Sequence, residues 1–197
     1  LPSSGFTLDL LKLSNLGSMK VIVIISGFTQ KMYQHTGSRK LWREMRLLKD
    51  LCADKEVVVQ LKEWNTDWKK YAKYITSLEP EDVLVCAYSW GGGYGMPQFT
   101  KRLQVPVTCV MCDPVYHSPT LLGRWKAFFD RWAIKVPKNV SVVRWLMQEG
   151  DKLDGDPLKG GASICKPEIL EYTHTEIDDS PEYHKAAIQV AKAFIVK

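Results

Sequence analysis

Val83–Gly95 reads VLVCAYSWGGGYG, and the way this stretch is read decides how the rest of the chain is read. It begins as a short apolar run with β-branched residues, the pattern of a buried strand. It ends in a glycine cluster that is expected to open into a helix through Met96–Arg102. Between them stands Ala87-Tyr88-Ser89-Trp90-Gly91, a small-x-Ser-x-small pentapeptide on a strand-to-helix turn. Such a turn strains its central residue and leaves no room for bulk two positions before or after, while it holds the serine hydroxyl up at the carboxyl end of the sheet. Two other readings compete. An ordinary glycine-rich turn accounts for an isolated match of this kind. A dinucleotide fingerprint is mimicked by Gly91 and Gly93 after a strand, with Asp113 at about the distance of a ribose-binding acid. Its third glycine would fall at Met96, too large for the close helix–sheet approach that glycine serves, and the strand is not the first of the fold.

Outward from this stretch, strand and helix patterns alternate. Lys20–Ser26 (KVIVIIS) is a continuous apolar run, as expected of a buried parallel strand. Gly37–Cys52 is expected to be a helix, with Leu41, Trp42, Met45, Leu47, Leu48 and Leu51 supplying its apolar face. Glu56–Leu61 reads as a strand. Trp64-Asn65-Thr66-Asp67 reads as a turn with a helix N-cap, and the helix after it runs to about Ser77. Val105–Cys112 and Val140–Met147 read as strands, and a last helix is expected over about Pro181–Ile195. The fold class that follows is α/β, a mostly parallel sheet in doubly wound form with helices on both faces.

On these residues the chain resembles the α/β-hydrolase superfamily, as a small, cap-poor lipase- or esterase-like member of cutinase-like size. The superfamily's nucleophile elbow is usually Gly-x-Ser-x-Gly; here Ala87 stands in the first glycine position and keeps the steric requirement. The resemblance runs from Met19 to the C-terminus, and the elbow is its most specific part. It implies Ser89 as nucleophile, with Asp113 as triad acid at the end of Val105–Cys112. His174 would be the base, in the loop before the last helix, where His-x-x-Ile-Asp-Asp-x-Pro-Glu resembles the closing motif of small lipase-like members. Asp113-Pro114 is similar to the acid-bearing pair of pancreatic-type lipases. Many hydrolases carry the acid after the following strand, so Asp151 and Asp154 remain rivals. Ser26-Gly27-Phe28 matches the glycine of the usual His-Gly loop but not its histidine. The resemblance thus points to the N–H of Phe28, or of Thr29, paired with that of Trp90, as the oxyanion hole. A tight turn that needs glycine would account for the same three residues.

Ser118–Trp132 is amphipathic, with Leu121, Trp125, Phe128 and Trp132 on one face. Such a stripe serves as core packing against a sheet. The alternative, directly after the candidate acid, is a lid, with Leu121, Trp125 and Phe128 lining an acyl pocket. Glu149–Pro157 is expected to be a solvated polar turn; its Asp/Gly spacing does not fit a calcium-binding EF-hand loop. His184 falls inside the last helix, and His35 and His117 fall in loops.

Composition bounds the rest. The chain has 197 residues, 45% of them apolar and 25% charged, with a net charge of +5. That is ordinary for one globular domain, expected over 19–197. The charges are scattered, which gives little support to nucleic-acid binding, and no stretch approaches the length of a membrane span. Five cysteines, an odd number, three of them in expected strands, suit buried thiols in a reducing, cytoplasmic setting. Cys109-x-x-Cys112 reads as core rather than a zinc site. Gly17-Ser18-Met19 reads as a cloning scar before an initiator methionine, so 1–18 is expected to be vector-derived. The expected function is hydrolysis of a carboxylic ester, on a small-molecule or lipid-like substrate, with no metal or cofactor. An acyltransferase or thioesterase on the same fold, and a non-catalytic binding protein, are the alternatives.

Overall fold

Seven consecutive residues of Lys20–Ser26 (β1) are buried, and they alternate between the two faces of the sheet. The structure, a computed structural model, describes residues 19–28, 30–31, 35–52, 56–116, 133–149 and 155–197. Val21, Val23 and Ile25 face one core, and Ile22 and Ile24 face the other. The β3 strand, Asp82–Tyr88, is likewise buried throughout. This two-sided burial is why both strands read as unbroken apolar runs rather than as alternating patterns.

In chain order the elements are β1; α1, Gly37–Leu51; β2, Val57–Glu63; α2, Trp68–Ser77; β3; a π-helical turn, Gly91–Gly95; and α3, Met96–Thr100. There follow β4, Val107–Cys112; β5, Ile134–Val136; β6, Val140–Gln148; β7, Leu158–Gly160; β8, Ser163–Ile164; and β9, Glu168–Leu170. A 3₁₀ turn, Ile177–Asp179, leads into α4, Pro181–Val196. The main sheet is parallel, in the order β2-β1-β3-β4-β6-β8, and β9 pairs further along β6 on the same edge as β8. β5 and β7 form a separate parallel pair.

Helices cover both faces. Leu41, Met45 and Leu48 of α1 join Tyr183, Ala187, Ala191 and Phe194 of α4 over Ile22, Ile24 and Leu84. On the other face, Trp68, Tyr71 and Ile75 of α2 and Met96 and Phe99 around α3 cover Val21, Val23, Val85 and Met111. Each large side chain fully buried in this way stabilises the fold by about 1.5–3 kcal/mol relative to exposure. Thr36 caps α1 and Asp67 caps α2, the latter through its carboxylate to the Lys70 N–H. No helix of the described residues is long and apolar enough to cross a membrane.

Several details depart from the sequence reading. The glycine cluster does not lie between strand and helix; it is itself helical, as the π turn Gly91–Gly95. β5, β7 and β8 are only two or three residues long and carry no readable period. Within Glu149–Pro157, Asp156 is buried rather than solvated. Its carboxylate accepts the Tyr116 N–H at 2.6 Å, and its own N–H donates to the Pro114 carbonyl at 2.7 Å. In keeping with the reading of Cys109-x-x-Cys112 as core, the two thiols are buried on opposite faces of the sheet, and all five cysteines are free. Burial pushes the Cys86 thiol up to about 12.

Candidate active site

The strand order reverses between β1 and β3, since β2 lies to one side of β1 while β3 and β4 lie to the other. In an open parallel sheet the crevice outside the carboxyl ends at such a point is where ligands bind. The segments leaving β1 and β3 there are Gly27-Phe28 and Ser89-Trp90.

Ser89 has a φ of 52° and Asp113 one of 40°; with Glu79 they are the three non-glycine residues of positive φ among the described residues. A left-handed conformation costs a non-glycine residue about 1–3 kcal/mol, and it persists only where the surroundings hold it. For Ser89 the hold is visible. Its carbonyl accepts the N–H groups of Gly92, Gly93 and Val115 at 2.9, 2.9 and 3.0 Å, and its own N–H donates to the Cys112 carbonyl. The turn after β3 is thereby tied to the start of the next helix and to the segment after β4. A Cβ on Gly91 would lie 2.5 Å from the Ile25 carbonyl oxygen, so this position admits no side chain beside β1. Gly27 is constrained by the same crowding, because a Cβ there would sit 2.9 Å from the Tyr88 ring and 3.1 Å from Ser89 Cβ.

Ser89 Oγ is 2.8 Å from His174 Nε2, and His174 Nδ1 is 2.6 Å from Asp113 Oδ2. All three side chains are buried, Asp113 completely. A carboxylate only accepts, so His174 Nδ1–H donates to Asp113, and Nε2 is left to accept the Ser89 hydroxyl proton. The other oxygen of Asp113 accepts the Gln148 N–H at 3.4 Å, from the end of β6. Tyr88 fixes the histidine from beneath: its hydroxyl donates to the His174 carbonyl at 2.5 Å, and its ring stacks on the imidazole with centroids 5.2 Å apart. Chemically, the chain serine–histidine–carboxylate can deprotonate the hydroxyl and hold the resulting imidazolium beside a negative charge.

Phe28 and Trp90 lie on the two segments that meet at Ser89. Among the described residues, neither backbone N–H donates to a backbone carbonyl. The turn that carries Phe28 is braced. Gln30 N–H donates to the Gly27 carbonyl, Ser26 Oγ donates to the Gln30 carbonyl, and Gln30 Nε2 donates to Asp178 Oδ2 at 2.5 Å. Asp178 also accepts the Ser38 N–H at 3.2 Å. Burial holds the Asp178 carboxyl above the usual range, against the opposing pull of the Gln30 and Ser38 hydrogen bonds. One buried carboxylate thus joins the turn after β1, the start of α1 and the 3₁₀ turn that follows His174.

Of the candidates read from the sequence, Ser89, Asp113 and His174 come together, and Phe28 and Trp90 flank them. Thr29, His117, Leu121, Trp125, Phe128, Asp151 and Asp154 lie outside the described residues, as does segment 1–18. His184 is held elsewhere, between Glu44 at 3.0 Å and the Asp178 carbonyl at 3.1 Å. Sequence reasoning missed Tyr88, Gln30, Asp178 and Gln148 as supports. Tyr88 and Asp178 were within motifs it quoted, but nothing in those motifs marks what a side chain touches. It also missed the aromatic cluster beside the site, in which Trp64 meets Phe28, Trp90 and Tyr94 at centroid distances of 5.3, 5.0 and 6.0 Å. Compared with models of known protein families and with curated proteins, the chain matches none.

Proposed function

We propose that this chain is a small serine hydrolase of the α/β-hydrolase type that cleaves a carboxylic ester through an acyl-enzyme on Ser89. One observation carries the reading: the continuous hydrogen-bonded chain from Ser89 Oγ through His174 to Asp113, with distances of 2.8 and 2.6 Å. Two others support it. The serine and the acid follow adjacent parallel strands, and the histidine follows the last strand, in the nucleophile–acid–base order of that superfamily. The left-handed φ of Ser89 is the strain a nucleophile elbow requires.

Ser89 Oγ attacks the ester carbonyl as its proton passes to His174 Nε2. The tetrahedral oxyanion is received by the N–H groups of Phe28 and Trp90. The carbon–oxygen bond to the alcohol then breaks, and the imidazolium returns the proton to the departing alkoxide. Water attacks the acyl-enzyme with His174 again as base. The acid leaves, and the proton goes back to Ser89 Oγ. Asp113 keeps its negative charge throughout and fixes the productive tautomer.

Turnover of p-nitrophenyl acetate tests the reading. The wild type is expected to hydrolyse it catalytically, and Ser89→Ala is expected to lose about 10³-fold or more in kcat. A folded wild type with no turnover of any activated ester would point to a binding protein on this fold.

A further inference from the structure

Four aromatic side chains form a connected surface beside Ser89. Phe28 meets Trp90 at 5.4 Å and Trp64 at 5.3 Å, Trp64 meets Trp90 at 5.0 Å, and Trp64 meets Tyr94 at 6.0 Å. The rings are not buried: Phe28 is 46% and Tyr94 40% exposed, and Trp64 and Trp90 are partly so. Three separate segments supply them: the turn after β1, the turn after β2, and the elbow with its π turn. In that π turn Tyr94 is the one exposed residue between buried glycines. Their position relative to the chemistry is fixed by the backbone. Trp90 follows Ser89 directly, and Phe28 follows Gly27, whose Cβ would lie 3.1 Å from Ser89 Cβ. The two residues assigned the oxyanion N–H groups therefore also supply two of the rings.

We propose that this surface binds an uncharged aromatic acyl group, so that the substrate class is an arylacyl or arylalkanoyl ester. The inference rests on Ser89 being the nucleophile, since only then does a reacting carbonyl sit beside the segments that carry Phe28 and Trp90. Three features select this occupant. The pairs are tilted or edge-on, with interplanar angles of 43°, 47°, 78° and 69°, so the rings lie in different planes and a further ring can meet them tilted or edge-on as they meet each other. A ring edge is electropositive and prefers the electron-rich face of another ring to an alkyl chain. The Trp64 indole N–H is already given to the Phe28 carbonyl at 3.1 Å, so it does not select a polar substituent. Beside Trp64, Glu63 is paired with Lys31 at 3.6 Å, so among the described residues these two charges offset each other next to the rings.

The experiment holds the leaving group constant and varies the acyl group, comparing p-nitrophenyl phenylacetate with p-nitrophenyl cyclohexylacetate, its saturated counterpart. The wild type is expected to prefer the aromatic ester by about five- to tenfold in kcat/KM, a size typical of one or two well-placed ring pairs. In Trp64→Leu and in Tyr94→Leu that ratio is expected to fall toward one. Equal or better hydrolysis of the cyclohexyl ester by the wild type overturns the proposal, as does a ratio that both variants preserve. A second arm does not depend on turnover: phenylacetamide is titrated into Ser89→Ala protein and followed by tryptophan fluorescence. Saturable binding that weakens about five- to tenfold in Ser89→Ala/Trp64→Leu supports the aromatic surface even if no ester is hydrolysed. In that case the hydrolase reading fails alone. Esters hydrolysed without aromatic preference, and no binding of phenylacetamide, would remove the surface and leave the hydrolase reading standing.

Discussion

Asp113 shows how much of the proposed chemistry depends on a single hydrogen atom. Its Oδ1 accepts the Gln148 N–H and its Oδ2 accepts His174 Nδ1–H. In Asp113→Asn the side-chain oxygen is best kept opposite Gln148, which turns the amide NH₂ toward Nδ1. His174 must then carry its proton on Nε2, facing Ser89, where it no longer acts as a base. Asp113→Asn is therefore expected to fold and to lose up to about 10⁴-fold in kcat. Near-normal turnover by a folded Asp113→Asn protein would exclude Asp113 as the acid. The sequence pointed to Asp113, at the end of Val105–Cys112, and kept Asp151 and Asp154 in the later polar loop as rivals. What it could not show for Asp113 is complete burial, a φ of 40° and a 2.6 Å contact to the histidine. Tyr88 could not be read at all, since an apolar strand residue and one whose hydroxyl holds a histidine carbonyl look alike in a sequence.

Among the elements, the long buried strands were the most legible part. β1, β3 and β4 bury both faces, so their apolar runs are unbroken and their ends are marked by Gly27, Ser89 and Asp113. β8 consists only of Ser163-Ile164, and β7 only of Leu158-Lys159-Gly160. Such pieces are strands because β6 and β5 pair with them, not because of their own composition. The turn after β1 and the 3₁₀ turn before α4 are 148 residues apart at Gln30 and Asp178, yet they share one hydrogen bond. The buried Asp178 carboxyl, held above its usual range by desolvation, makes that junction pH-sensitive. A group whose folded pKa is raised contributes stability below its unfolded pKa of about 3.9, and this is lost as pH rises through the folded value. Asp178→Asn keeps an acceptor for Gln30 and Ser38 but removes the charge. The melting temperature of the wild type relative to Asp178→Asn is thus expected to fall as pH rises from about 4 toward 8. A difference that stays constant or grows with pH would contradict this account of the junction.

For the whole molecule, the fold acts by bringing distant residues to one rim of the sheet. Ser89 and His174 are 85 residues apart, and His174 and Asp113 are 61 apart. They meet because β3, β4 and β6 are parallel neighbours and β9 closes the edge beside β6. The order of these residues along the chain suggested that arrangement. The aromatic surface was not suggested by it, because Phe28, Trp64, Trp90 and Tyr94 come from three segments whose sequence patterns mark backbone turns and say nothing of which side chains meet. The central claim is that the Ser89 hydroxyl is the activated nucleophile of this rim, and covalent labelling tests it most directly. A fluorophosphonate probe forms a phosphorus–oxygen bond to such a hydroxyl and expels fluoride. Intact-mass spectrometry of the native protein is expected to show one adduct per chain, mapped to the peptide containing Ser89 and absent from Ser89→Ala. A folded wild type that takes up no probe, or a Ser89→Ala protein labelled to the same extent, would contradict the account.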